Sequence, residues 1–89
     1  MSSPQLKVST VTDMRGMFKD AISFNQPLND WNVSNVIDMS GMFWGATSFN
    51  QPLDNWSNKI LNVTHFRHMF NCSSLNQLPN WFSDVSDAD

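Results

Sequence analysis

His65 and His68 stand three residues apart, the spacing at which one face of a helical turn can hold two ligands to zinc or copper. No further Cys, Glu or His accompanies them, and the matching positions of the sister segments are Asp13 and Gly16, then Asp38 and Gly41. Cys72, the single cysteine, could act with these histidines as nucleophile and base. The sequence places it in the small-residue slot of Ala21 and Ala46, where a buried thiol is inert. Asp13, Asp38 and the acidic tail offer oxygen ligands, but no Asp-rich loop has the spacing that Ca²⁺ needs. No Ser-His-Asp order, phosphate-binding loop or paired carboxylates appear. Asn-x-Ser/Thr triplets, such as those that begin at Asn32, Asn62 and Asn71, occur as chance gives in a chain this rich in Asn and Ser. The chain is read as a non-enzyme that uses no cofactor and no metal.

The elements that hold these residues recur every 25 positions. From Val11 the chain reads V-T-D-M-R-G-M-F-K-D-A-I-S-F-N-Q-P-L-N-D-W, and from Val36 it reads V-I-D-M-S-G-M-F-W-G-A-T-S-F-N-Q-P-L-D-N-W. Fourteen of these 21 positions are identical, among them the Val, both Met, both Phe, the Leu and the closing Trp. Trp31, Trp56 and Trp81 keep the same interval, and Leu6 fills their slot one repeat earlier. A fixed period of this length marks stacked units that bury their apolar faces against one another. Function then belongs to the surface of the stack.

Each repeat carries two patterns. In W-x-V-x-x-V, Trp31 and Val33 share one face of an extended segment, and β-branched residues favour a strand. In M-x-x-M-F-x-x-A, residues Met39, Met42, Phe43 and Ala46 fall at i, i+3, i+4 and i+7, the stripe of an amphipathic helix. Met14, Met17, Phe18 and Ala21 repeat it, as do Phe66, Met69 and Phe70. Asp13 and Asp38 precede the stripes as caps, while Gly16 and Gly41 limit each helix to one or two turns. F-N-Q-P-L follows as an extended return, with Pro27 and Pro52 blocking helix. The recurring Asn25-Gln26, Asn50-Gln51 and Asn76-Gln77 pairs are read as amides stacked from coil to coil.

The third repeat is worn. Ser57-Asn58-Lys59-Ile60 carries two extra residues, which sets Ile60 opposite Val33 and Val63 opposite Val36. Compensating losses fall within 69–72 and again at 78–80. The domain expectation is a single repeat domain over 1–89: repeat one 6–30, repeat two 31–55, a degenerate repeat three 56–80, and a partial coil with an acidic tail 81–89. The fold expectation is α/β: a short right-handed leucine-rich-repeat-like solenoid of about 3.5 coils, with parallel short strands and one- to two-turn helices.

Composition narrows the partners. A net charge of −3 with five scattered basic residues offers no clustered basic face, so nucleic acid is not expected. No run of 18 apolar residues is present, so no membrane span is expected, and the first residues lack the regions of a signal peptide. The informative positions are apolar residues in slots that are polar in the sister repeats. Trp44 stands where repeat one has Lys19 and repeat three has Asn71; Ile37 stands where the others have Thr12 and Thr64. Trp44 is either a contact residue, as exposed tryptophans at interfaces are, or a side chain folded over a neighbouring coil. The candidate binding residues are Trp44, Ile37, Arg15, Ser40 and Arg67.

V-x-x-M-x-x-M-F-x-x-A-x-x-F-N-Q-P-L-x-x-W resembles the 25- to 26-residue repeat of BspA-type leucine-rich-repeat surface proteins, which also abounds in mycoplasma lipoproteins. The resemblance runs from about Leu6 to Trp81 and departs at Phe66, at Asn71-Cys72 and at Leu78-Pro79. It implies a leucine-rich-repeat-like solenoid on the cell surface or secreted, acting in attachment or protein binding, with no catalytic residues to carry over. The expected function is a protein-binding or adhesion module whose partner is a host protein or another copy. The alternative is a self-associating unit that forms dimers or stacks, a homo-oligomer, through its coil ends.

Overall fold

The computed structural model describes residues 8–75 and 77–82. The expectations placed on Leu6, on Asn76 and on the tail beyond Phe82 lie outside these residues. The chain winds into successive coils, and neighbouring coils meet through backbone groups 24 to 27 residues apart. The α/β expectation is overturned. Among the described residues there is no strand and no sheet, only the isolated parallel bridges Asp13–Asp38 and Asp38–His65. Before Phe82, the helical elements among the described residues are two 3₁₀ turns, η1 (Val8–Thr10) and η2 (Asp54–Asn58).

The backbone donors of the M-x-G-M-F stretch explain why neither regular element forms. In the middle coil, the N–H groups of Met39, Gly41, Phe43 and Gly45 donate forward to the carbonyls of His65, Arg67, Met69 and Asn71. The intervening Met42, Trp44 and Ala46 donate backward three residues, to Met39, Gly41 and Phe43. Ser40 N–H completes the set by donating to Asp38 Oδ1 at 2.9 Å. All eight donors from 39 to 46 are thus satisfied, alternately within a turn and across to the next coil. Coil one repeats the arrangement from Met14 to Ala21, with Arg15 N–H on Asp13 Oδ1 at 3.0 Å. A helix would spend every donor within the coil, and a strand would straighten the turns.

Glycine makes this course possible. The turn closed by Met42 N–H on Met39 has Gly41 as its third residue, at φ +61°, and the one closed by Ala46 N–H on Phe43 has Gly45, at φ +74°. Positive φ at the third position is the type II turn, which favours Gly. The glycines that read as helix weakeners are therefore turn formers. Asp13 and Asp38 likewise cap turns two residues ahead, not helices.

The apolar stripe still points inward. Met39, Met42, Phe43 and Ala46 are fully buried, with Val33, Val36, Phe49 and Trp56. Phe18, Phe43 and Phe70 stack in a column with centroids 5.5 Å apart at both steps, and Phe24 lies over Phe49 at 5.8 Å. Phe82 closes the column edge-on against Phe70 at 5.0 Å. The tryptophans tie coils together: Trp56 Nε1–H donates to Leu28 O at 3.0 Å and Trp81 Nε1–H to Leu53 O at 2.9 Å. The expected strand around Trp31 and Val33 is instead a tight turn, in which Val36 N–H donates to Val33 O. Parallel pairing occurs further on, in the row of Asp13, Asp38 and His65.

Asparagine does on the outside what glycine does within. Asn25 Oδ1 accepts from Asn50 N–H at 2.8 Å and from Gln51 Nε2 at 3.0 Å, the amide stacking expected of this pair. Asn35 Nδ2 reaches Ser9 O, and Asn62 Nδ2 reaches Ser34 O. Each such bond contributes about 0.5–1.5 kcal/mol net.

The worn repeat is corrected in one place. Its two extra residues, Ser57 and Asn58, lie in η2. The first compensating loss falls after Ser73, not before Cys72. Gly45 N–H bonds Asn71 O as Asp20 N–H bonds Trp44 O, and Ser73 N–H closes the turn on Phe70 as Ala46 does on Phe43. Ser73 therefore holds the small-residue slot. Cys72 holds the slot of Asp20 and Gly45, at φ +58°, and is exposed. It is not the buried thiol expected.

Candidate binding groove

Residues two or three rows past the Asp bridge form a groove of about 420 Å³ across three coils. Arg15, Ser40 and Arg67 make one row, and Gly16, Gly41 and His68 the next. Lys19 and Trp44 close it. The ladder dictates this assembly, because forward bonds hold equivalent residues of successive coils in register. Gly16 and Gly41 leave bare backbone on the floor, and His68 takes the same left-handed conformation at φ +58°.

Trp44 packs against neighbouring coils and stays partly open. Its side of the groove is held by Lys19, whose Nζ lies 4.9 Å from the indole centroid, and by His68, whose ring centre is 5.2 Å away. It nonetheless keeps 37% of its surface exposed. Arg15 is oriented by a two-pronged pair with Asp13: Nε to Oδ1 at 3.1 Å and Nη2 to Oδ2 at 3.0 Å. Asp38 Oδ2 lies 3.8 Å from Arg15 Nε. The Arg15 backbone N–H, and then its guanidinium, hold the Asp13 carboxyl below the usual carboxylate range, while Asp13 raises Arg15 further. A depressed carboxyl contributes above its ordinary pKa and loses the contribution as pH falls through its lowered value. The pair therefore keeps Arg15 in place throughout the neutral range.

Of the five candidate residues, the structure gathers Arg15, Ser40, Trp44 and Arg67. Ile37 is not among them. It is 48% exposed and lines a separate hollow with Thr10, Thr12, Asn35, Asn62 and Thr64. Two groove side chains, Lys19 and His68, escaped the sequence reading. Lys19 was legible as the repeat-one counterpart of Trp44, one coil away. His68 occupies the slot of Gly16 and Gly41, a substitution that brings a ring to the groove. Among the described residues no three His, Cys, Asp or Glu side chains come together. No helix among them is long and apolar enough to cross a membrane.

This chain belongs to the family described as Mycoplasma protein of unknown function, DUF285, whose profile matches residues 3–87. No curated protein and no solved structure matches it significantly.

Proposed function

We propose that the chain is a non-enzymatic protein-binding module of the BspA-type repeat class, acting at the cell surface or in secreted form. The observation that carries this reading is the convergence of Arg15, Ser40, Trp44 and Arg67 on one groove, all from slots that vary between repeats. An indole held in place yet partly exposed loses little rotamer entropy on contact, and tryptophan and arginine are the side chains enriched at binding hot spots. The inward apolar positions are fixed by packing, so the variable row is where recognition can change at little cost to the fold. The mechanism is contact and shape, with no bond made or broken.

Selection from a random peptide library against the immobilised chain tests this. The expected result is a set of peptides whose binding falls by about tenfold or more with Trp44→Ser, the loss of one hot spot. Ile37→Ser should leave the same peptides bound. An empty selection, or peptides indifferent to Trp44→Ser, would remove the reading.

A second reading, self-association through coil ends, is favoured by the polarity of the ladder. At one end the carbonyls of Asp13, Arg15, Met17 and Lys19 meet no donor among the described residues; at the other, the N–H groups of Phe66, His68, Phe70 and Cys72 meet no acceptor. Acceptors at one end and donors at the other can join only head to tail, a heterologous contact that builds open stacks. Met17, 41% exposed where Met42 and Met69 are fully buried, adds apolar surface to the first end. Phe82 acts against the reading, because it occupies the layer that an incoming Phe18 would need.

A further inference from the structure

We propose that the groove takes a carboxylate-rich peptide segment, an extended stretch of Asp or Glu side chains on a protein partner. The inference rests on the protein-binding reading above and names the chemistry of its ligand.

The argument is an inventory of donors. Arg15, Lys19 and Arg67 are cations with no acceptor atom in their side chains, and the Trp44 indole N–H only donates. His68 is engaged on one side by its neighbour, with Asn71 Nδ2 2.9 Å from His68 Nδ1. Apart from Ser40 and the His68 ring, no lining side chain can accept. A surface this one-sided leaves a ligand's donors unpaired and pairs its acceptors, and charge-assisted bonds to carboxylates are the strongest it can make.

Charge distribution agrees. The chain carries a net charge of −3, yet three of its five Lys and Arg residues line this one groove, and no carboxylate does. Asp13 and Asp38 lie beyond the groove, against Arg15. They aim the guanidinium and cap the affinity, because a ligand carboxylate must share Arg15 with them.

Trp44 decides between an acidic peptide and an acidic polysaccharide. A sugar ring binds tryptophan by lying flat on an open indole face. Here Lys19 sits over that ring and His68 leans against it at 42°. What remains exposed suits the side chains and backbone carbonyls of a peptide.

The test is fluorescence anisotropy with a labelled Glu-rich peptide, against the same peptide with Gln for Glu, at low and at physiological salt. The expected result is saturable binding of the Glu peptide, at least about tenfold tighter than the Gln peptide and weakened by salt as exposed charges require. Lys19→Glu should weaken it by about tenfold, because the cation becomes a like charge. Lys19→Gln, whose neutral side chain leaves the backbone untouched, should fall between. Equal binding of the two peptides, indifference to both Lys19 variants, or preferential capture of heparin over the Glu peptide would overturn the proposal. The two readings fail differently. Library peptides that lack acids but depend on Trp44 would sink the carboxylate ligand and leave the binding module standing; an empty library would sink both.

Discussion

Trp56→Ala is expected to bring the chain to the edge of unfolding. Trp56 is fully buried, and its indole N–H crosses to the Leu28 carbonyl of the preceding coil. Truncating a buried tryptophan to alanine costs about 3–5 kcal/mol. A chain of 89 residues has roughly 4–13 kcal/mol in total at ordinary stability per residue. Leu28 O also accepts from Trp31 N–H, so the lost bond leaves that carbonyl with one partner. Trp56→Phe isolates the bond from the volume and should cost less, about 1–2 kcal/mol, from the lost hydrogen bond and a small change of shape. Urea unfolding followed by circular dichroism measures both. A loss below about 1 kcal/mol for Trp56→Ala would mean that the tryptophans do not tie the coils together.

Gly45→Ala is the second large effect, and its neighbours provide the scale. Gly45 sits at φ +74°, and a Cβ there would overlap the Asp20 carboxylate of the adjacent coil. Gly16 also has positive φ, but its Cβ would meet Lys19 Cβ at an ordinary 3.7 Å. Gly16→Ala should therefore cost only the left-handed backbone, about 1–2 kcal/mol. Gly45→Ala adds the cost of turning the exposed Asp20 carboxylate aside, about 0.5–1.5 kcal/mol. The double variant Asp20→Gly with Gly45→Ala should recover that steric part and leave the backbone part. Equal losses at Gly16 and Gly45, by urea unfolding, would contradict the packing of Asp20 against Gly45.

The period and the inward-facing residues were legible because burial leaves its mark on every repeat: Met39, Met42, Phe43 and Phe49 have apolar counterparts in repeat one and are all fully buried. The local conformation was not. A stripe at i, i+3, i+4 and i+7 is compatible with a helix and equally with consecutive turns that advance the chain at a similar pace. Gly41 and Gly45, four residues apart at the third position of alternate turns, carried the distinction. Repeat one hid it by placing Asp20 in the second slot, and repeat three by placing His68 and Cys72 in both. The same substitutions misplaced Cys72, since an alignment by residue type matched it to alanine when its backbone matches glycine. Four of the five candidate residues line one groove because slot variation marks the surface. Ile37 lies apart because variation says that a slot is exposed, not which hollow it faces.

Amide hydrogen exchange, followed residue by residue by NMR, tests the ladder most directly. In the middle coil every N–H from Met39 to Ala46 should be protected, since all have acceptors. In the third coil protection should alternate. Met69, Asn71 and Ser73, which close turns, should exchange slowly, and Phe66, His68, Phe70 and Cys72 should exchange fast. Raising the protein concentration should leave the fast set fast if the chain acts alone; protection that grows with concentration at those four amides would assign the coil ends to self-association. Continuous protection from 66 to 73 in dilute solution would contradict the account, because it would mean a helix where the structure has turns shared between coils.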